Sequence, residues 1–408
     1  MWKVTKGQGI TVAVIDGGFK LDHPDLAGQF LPGKDFSGSS GGVGTYADGH
    51  GTEMASLIAG TGRSVGGTGA YGLAPGAKVL PLKINNGSVS AALPSDFLNQ
   101  IGQAVDYAVD QGAKVINISQ GMDAALFSSA DVEKLNRILA GARAKGSLVV
   151  ASVGNEAQSG NPVSYPGGLP NVVGVGAVDR DVVVTAESEQ GPQVALVAPG
   201  MDIVAACTAD TEYCQSHGTS DAAALVSASA ALVWSVHKDW TANQVLRVLI
   251  NTAGKPHDGS MRNNISGYGA VRPRVALTDP GDPGPADVSP VPAAAAPSAT
   301  TPSASAPASS VPSPAATPSE VAVGAPSAQP TAGASAGSGG GGALPVVAGV
   351  VAGLVVVAGA VFAVLRRRRV SAGPSGDVVV PPVPAQQPMA PPPSYQPPVP
   401  PEDNPYAR

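Results

Sequence analysis

Short apolar runs alternate with amphipathic stretches along the first 278 residues. The runs are rich in valine, isoleucine and alanine and carry little charge, which is typical of strands buried on both faces of a parallel sheet. Because these runs alternate with helical patterns, we predict an α/β fold in which helices cover both faces of a parallel sheet. The predicted strands are 10–15, 77–84, 114–119, 148–153, 172–178 and 194–198.

Apolar residues recur every three or four positions in several segments between the predicted strands. This spacing predicts helices at 95–111, 128–145 and 241–251, with Ser95 as the N-terminal cap of the first. Another helix is expected to begin at His50. Residues 219–237 are mostly small or apolar and contain neither glycine nor proline, so we expect a helix buried on all sides.

The chain changes character after residue 278, where the predicted globular domain 1–278 ends. Residues 279–343 consist mainly of proline, alanine, serine and glycine, so we expect a disordered linker. Residues 344–365 are a run of 22 uncharged residues, the length of a transmembrane helix. Four arginines follow at once and begin a proline-rich tail, 366–408. By the positive-inside rule, we expect a single-pass membrane protein with a cytoplasmic tail and an extracellular domain.

An extracellular domain requires an export signal, and the residues after Met1 show no charged start, apolar core or cleavage site. We therefore expect the natural sequence to begin upstream; a cytoplasmic domain is the less favoured alternative. The net charge of −6 predicts no nucleic-acid partner. Cys207 and Cys214, with six residues between them, fit either a small-loop disulfide, favoured outside the cell, or two separate buried thiols.

Four polar residues stand at predicted strand ends or helix starts. Asp16 ends the first strand and His50 opens a helix between two glycines. Asn155 follows strand 148–153, and Ser220 opens the buried helix. The carboxyl ends of parallel strands are where sites form in open α/β sheets. Each residue alone also fits a turn, a loop or a helix cap, but the order Asp, His, Ser is one of the known orders of a serine-protease triad.

The segments around these four residues have distinctive sequences: Val-Ala-Val-Ile-Asp-Gly-Gly, Gly-His-Gly-Thr-Glu-Met-Ala-Ser, Val-Gly-Asn and His-Gly-Thr-Ser-Asp-Ala-Ala-Ala. They resemble motifs of the subtilase family of serine proteases. The resemblance covers most of residues 1–275 and implies a subtilisin-like fold with serine endopeptidase activity. It implies that Ser220 is the nucleophile, His50 the general base and Asp16 the partner that orients His50.

The same resemblance implies the other parts of the site. Asn155 would hold the oxyanion. Ser119, Gln120 and Gly121 would offer their backbone to an extended protein or peptide substrate. No cofactor is implied, and no acidic loop compels a metal site.

Within the subtilases, the chain looks like the mycosins, the membrane-anchored proteases of type VII secretion systems. The shared features are the opening segment, the cysteine pair, the proline-rich linker, the single span and the basic stop. This resemblance implies secretion-channel subunits as partners. The alternative is a subtilase-like structural component that stabilises such a membrane complex, with weak or dispensable catalysis.

Three positions after Ser220 depart from the usual subtilase pattern. Asp221 stands where an apolar residue is usual, Ala224 where proline is usual, and Ala228 where glycine is usual. A carboxylate in the cleft would oppose formation of an oxyanion. If the Asp221 side chain faced the cleft, we would therefore expect slow acylation.

Overall fold

The computed structural model describes residues 1–85 and 93–291, which form an α/β fold around a parallel sheet. The strands in this part of the chain are β1 (Thr11–Asp16), β2 (Lys34–Asp35), β3 (Lys78–Lys83), β4 (Val115–Ile118), β5 (Met122–Asp123), β6 (Leu148–Ser152), β7 (Ser164–Tyr165), β8 (Val172–Val178), β9 (Val194–Pro199), β10 (Ile203–Ala206) and β11 (Tyr213–Ser216). The central sheet has the order β2-β3-β1-β4-β6-β8-β9, and its neighbouring strands are parallel. Two small antiparallel pairs, β5–β7 and β10–β11, lie outside it.

Helices cover both faces of this sheet, as the sequence predicts. They are α1 (His50–Ala59), α2 (Pro94–Asp110), α3 (Ser129–Ala144), α4 (Thr219–Val236), α5 (Ala242–Asn251) and α6 (Pro273–Thr278). The alternation of side chains along β1 separates the two layers. Val12 and Val14 join the core that contains α1, α4 and α5. Ala13 and Ile15 join the core that contains α2 and α3.

Helix α4 runs through the larger core, and all but three of its 18 residues are buried. The small alanines and serines of α4 allow close packing against the sheet, and the serine hydroxyls form hydrogen bonds inside the core. Ser227 Oγ donates to Asn117 Oδ1 at 2.9 Å, which ties α4 to β4. Among the described residues, α4 alone has the length and apolarity of a membrane span, but 83% of it is buried within the protein.

Cys207 and Cys214 form a disulfide between the end of β10 and β11. The predicted disulfide is therefore confirmed, and the alternative of two separate thiols is wrong. The covalent link lies in the hairpin that leads directly into α4. Ala206, at the end of β10, donates its backbone N–H to Ser56 Oγ of α1 at 3.0 Å, so this hairpin also contacts α1.

The structure corrects two predictions about boundaries. Ser95 is not a cap: α2 begins at Pro94, whose fixed φ suits the first helical position, and no side chain caps this end. The folded part also extends beyond 278. The Arg247 guanidinium donates to the carbonyls of Pro283 at 2.6 Å and Pro285 at 3.0 Å, which holds the segment 279–291 against α5.

The rest of the predicted C-terminal region lies outside the described residues. This applies to the linker from 292 to 343, the span 344–365 and the tail 366–408. Their assignments remain predictions from the sequence.

Candidate active site

Asp16 and His50 meet where β1 ends and α1 begins. The buried Asp16 carboxylate accepts the Gly17 backbone N–H at 2.7 Å. His50 Nδ1 lies 2.9 Å from one Asp16 oxygen and 3.0 Å from the other. Gly51 permits this approach, because a Cβ at this position would overlap with the carbonyl oxygen of Gly18. The helix start therefore lies against the end of the strand, with the imidazole beside the carboxylate.

The Asp16 carboxylate determines the state of the His50 ring. Burial disfavours the charged imidazole, but the negative charge and hydrogen bond of Asp16 outweigh burial and raise the pKa of His50 to about 9. Smaller contributions come from the charges of Glu53 and Asp48. Because a carboxylate can only accept, Nδ1 carries the hydrogen in this contact. In the neutral ring, Nε2 is then the atom that can accept a proton.

Ser220 is the second residue of α4 and exchanges hydrogen bonds with Ser119 across the cleft. Its Oγ donates to the Ser119 carbonyl at 3.2 Å, and Ser119 Oγ donates to the Ser220 carbonyl at 3.1 Å. Within the described part of the chain, no hydrogen bond joins Ser220 to His50. The Ser220 hydroxyl must therefore leave the Ser119 carbonyl before it can donate to His50; catalytic hydrogen bonds are commonly long or absent in ligand-free active sites.

Asn155 follows β6 and is held by the start of α4. Its Oδ1 accepts the backbone N–H and the hydroxyl of Thr219, each at 2.9 Å. These two donors define the orientation of the amide, and Nδ2 has no partner among the described residues. Gly218 has φ +127°, and a Cβ there would lie 3.1 Å from Nδ2. The glycine thus leaves room for the amide, whose donor end is available to a ligand.

These groups line one cleft of about 350 Å³ at the carboxyl edge of the sheet. The structure brings all the sequence-predicted site residues to this place, with Asp16 behind the His50 ring. The lining residues Ser152, Glu156 and Ser164 lie outside the motif segments that predict the site. The complete lining is Asp48, His50, Ser119, Gln120, Gly121, Ser152, Gly154, Asn155, Glu156, Ser164, Thr219 and Ser220.

The side chain of Gln120 takes part in the site, whereas the sequence predicts only a backbone role. Its Nε2 donates to Asp16 Oδ1 at 3.0 Å and lies 3.2 Å from His50 Nδ1. The position of Gln120 explains this contact, because it follows β4, the neighbour of β1 in the sheet. A polar residue just after the adjacent strand was the signal available in the sequence.

Asp221 is directed away from the cleft. Its Oδ1 accepts the Ser216 hydroxyl at 2.9 Å, and its Oδ2 has no hydrogen-bond partner in the described part of the chain. Burial raises the pKa of Asp221 to about 6, although the Ser216 hydrogen bond and the charge of His50 act in the opposite direction. The carboxyl group that follows Ser220 is thus buried against β11 and is not part of the cleft lining.

Comparison with known proteins finds relatives among the bacterial serine proteases. A thermophilic serine proteinase of Bacillus sp. (strain AK1) is 37% identical over 243 residues, which cover 57% of this chain and 54% of that relative. The chain therefore spans about half of the length of this relative. Subtilisin Savinase of Lederbergia lenta is 32% identical over 274 residues, which cover 66% of this chain and 91% of the relative.

A solved structure and a family model point to the same group of proteases as these relatives. The structure of the MycP3 protease from the type VII (ESX-3) secretion system matches with a TM-score of 0.58 and 33% identity, over 68% of this chain and 85% of that chain. The sequence model of the Subtilase family matches residues 7–269, which is more than half of the chain. The chain belongs to the subtilase family.

Proposed function

We propose that this protein is a serine endopeptidase that hydrolyses peptide bonds with Asp16, His50 and Ser220. The observation that carries the proposal is the contact of 2.9 Å between His50 Nδ1 and Asp16, in a cleft that Ser220 also lines. If Ser220 were only a helix cap and Asp16 only a turn residue, neither would need a histidine beside it. The membership of the chain in the subtilase family supports the same assignment.

In the proposed reaction, Ser220 Oγ attacks the carbonyl carbon of the scissile bond while its proton passes to His50 Nε2. The Asp16 carboxylate stabilises the resulting imidazolium. His50 then gives this proton to the leaving amine, the C–N bond breaks, and an acyl-enzyme remains on Ser220. Water, deprotonated by His50, attacks the ester and releases the acid, which restores the free hydroxyl.

Two donors are positioned for the oxyanion of the tetrahedral intermediate. Asn155 Nδ2 has no partner among the described residues, and its orientation is fixed through Thr219. The backbone N–H of Ser220 lies in the first turn of α4, where N–H groups lack an intrahelical acceptor. Residues 119–121 form one side of the cleft, where an extended substrate backbone can bind alongside them.

A fluorophosphonate probe tests the proposed nucleophile. We expect the folded protein to be labelled and Ser220→Ala to lose both labelling and peptide cleavage, because no other group supplies the attacking oxygen. Ser159→Ala, a change at an exposed serine outside the cleft, is the control and should be labelled normally. Thermal unfolding would establish that the variants are folded. Absence of labelling in the folded wild-type protein would contradict the peptidase and favour the structural-subunit alternative.

We further propose that the protein is a mycosin anchored by residues 344–365 and acts with a type VII secretion system. The likeness to MycP3, which is a protease of such a system, supports this assignment. The expected partners are secretion-channel subunits. Full-length protein extracted in mild detergent should co-purify with these subunits, and its recovery as a lone monomer would argue against the assignment.

A further inference from the structure

A buried acidic residue, Glu189, lies behind the cleft and has no counter-charge. The side chain is 0% exposed. Its Oε1 accepts the Ser164 hydroxyl at 3.0 Å, and its Oε2 has no hydrogen-bond partner among the described residues. In the same part of the chain, no basic side chain forms an ion pair with it. A buried carboxylate without a cation is costly, so its presence beside a cleft requires a reason.

The carboxyl group occupies the space next to two residues of the cleft lining. A Cβ at Gly154 would overlap with both of its oxygens, so the glycine is required for the acidic group to sit there. The Glu189 backbone N–H donates to the Gly154 carbonyl at 3.0 Å. Ser164, which donates to the carboxylate, also lines the cleft. The carboxylate is therefore separated from the cleft beside Asn155 only by the backbone of Gly154 and the small side chain of Ser164.

The position of the reacting bond identifies which part of a substrate reaches this wall. The scissile carbonyl carbon must approach Ser220 Oγ, with its oxygen toward Asn155. Gly154 immediately precedes Asn155, so the residue that contributes this carbonyl directs its side chain along Gly154 toward Ser164. An unbranched side chain passes the glycine easily, and its tip reaches the Ser164 hydroxyl, behind which the buried carboxylate lies.

We propose that Glu189 is a specificity-determining residue that selects substrates with lysine or arginine immediately before the scissile bond. The cationic tip donates a hydrogen bond to Ser164 Oγ, which itself donates to Glu189, and so brings to this wall the counter-charge that the buried carboxylate lacks. This inference rests on the proposed peptidase function and identifies the substrate class of the same site.

Two peptides that differ only in lysine or norleucine before the scissile bond provide the test, since norleucine has the same stem without the ammonium group. At pH 8 we expect kcat/KM to be at least about tenfold higher for the lysine peptide, the scale of one hydrogen bond to a charged group. Glu189→Gln should bring the ratio near one while cleavage of the norleucine peptide continues. Glu187→Gln, which removes a carboxylate that pairs with His217 outside the cleft, should keep the wild-type ratio.

The pH dependence of this ratio is a second readout. Burial raises the pKa of Glu189 to about 7. The hydrogen bond from Ser164 opposes this rise, and the charge of Glu156 adds to it. The lysine preference should therefore increase as pH rises through about 7. The titration of His50 affects the cleavage of both peptides equally, so it does not change the ratio of their kcat/KM values. Ser164→Ala removes a hydrogen bond to the carboxylate, so the midpoint should move to higher pH.

The outcomes separate the two proposals. Equal cleavage of both peptides by the wild-type protein would overturn the role of Glu189 and leave the peptidase intact. A lysine preference that disappears in Glu156→Gln but persists in Glu189→Gln would also overturn it, because Glu156, an exposed acidic residue of the lining, would then be the determinant. If neither peptide is cleaved and the folded protein does not react with the fluorophosphonate probe, the peptidase proposal itself fails.

Discussion

Asp16 accepts hydrogen bonds from three directions, and each donor comes from a different part of the chain. Gly17 donates from the turn after β1, His50 from the start of α1 and Gln120 from the end of β4. The Gln120 amide donates a hydrogen bond to the Asp16 carboxylate, which weakens the effect of the carboxylate charge on His50. We therefore expect Gln120 to be a positioning residue, which acts on His50, the proposed general base, through the carboxylate.

Replacing Gln120 tests this connection through pH. His50 must be neutral to accept a proton, so kcat/KM should rise with pH through its pKa of about 9. Gln120→Met keeps the size of the side chain but removes the donor to Asp16. The carboxylate then acts more strongly on His50, so we expect the midpoint to move to higher pH and kcat/KM at pH 7 to fall about fivefold, the scale of one hydrogen bond.

A pH–rate profile measures this shift, with Gln103→Met on the exposed face of α2 as the control. An unchanged midpoint in Gln120→Met would show that Gln120 does not act on His50. A purely structural role would change the stability of the protein without moving the midpoint.

The Asn155 amide has an oxygen that accepts from Thr219 and an Nδ2 group that is available to donate to a ligand. Two substitutions can separate the contributions of these two atoms. Asn155→Ala should lower kcat by about 100- to 1,000-fold with little change in KM, a loss of the size known for subtilisin itself. Asn155→Asp retains an oxygen for Thr219 but lacks the donor, and it should be no more active than the alanine variant. Recovery of activity in Asn155→Asp would mean that anchoring Thr219, and not oxyanion binding, explains the loss.

At the scale of elements, the start of α4 is the part of the fold with the strictest backbone requirement. Gly218 adopts φ +127° and ψ 173°, a conformation that residues with a side chain avoid. The same residue packs against the Asn155 amide. One glycine therefore determines both the direction in which the helix begins and the space for the Asn155 amide, the proposed oxyanion donor.

Gly218→Ala should lower the free energy of unfolding by about 1–3 kcal/mol and should displace Asn155, so kcat should fall as well. Gly28→Ala is the matched control: its φ is also positive, at +77°, but a Cβ there has no neighbour within 4 Å. It should lose stability and keep its catalytic constants. Chemical denaturation and steady-state kinetics measure the two effects; unchanged kcat in Gly218→Ala would contradict the packing argument.

Elements with long apolar runs were predictable, and short or exposed ones were not. Strands β4, β6 and β8 are buried throughout, and β1 is buried after Thr11, so their apolar sequences identify them directly. The hairpin β10–β11 was not predicted, because its strands have four residues each and only Ala205 and Ala206 among them are buried. Proline at the first position of α2 made the predicted serine cap unnecessary.

The same distinction applies to the candidate site. The local motifs around Asp16, His50, Asn155 and Ser220 predict which residues converge, because each motif contains its own strand end or helix start. Contacts between distant segments leave no such local pattern. The contact of Glu189 with Ser164 spans 25 positions, and that of Gln120 with Asp16 spans 104.

At the scale of the whole molecule, the segment 279–291 completes the folded part that the structure describes. It has little apolar surface of its own, so hydrogen bonds to its carbonyls hold it in place. Arg247 reaches the carbonyls of Pro283, Pro285 and Val288, and Gln244 reaches that of Gly284. The segment has no regular secondary structure, so within the described region these carbonyls have no other hydrogen-bond donor.

Arg247→Ala should release this segment. We expect the free energy of unfolding to fall by about 1–3 kcal/mol, because one guanidinium serves several carbonyls, and residues 279–291 to become sensitive to added protease. Thermal unfolding and limited proteolysis measure these changes, with Arg137→Ala at an exposed site on α3 as the control. A segment that stays protected in Arg247→Ala would mean that other contacts hold it.

The hydrogen bond from Ser220 to the Ser119 carbonyl has a consequence for the order of events in the cleft. The Ser220 hydroxyl has a single hydrogen, so it donates either to this carbonyl or to His50. Residues 119–121 form the side of the cleft where we propose that a peptide backbone binds. A peptide that donates a hydrogen bond to the Ser119 carbonyl would compete with the Ser220 hydroxyl for this acceptor and would favour its release toward His50. The same contact that binds the substrate would then free the proposed nucleophile.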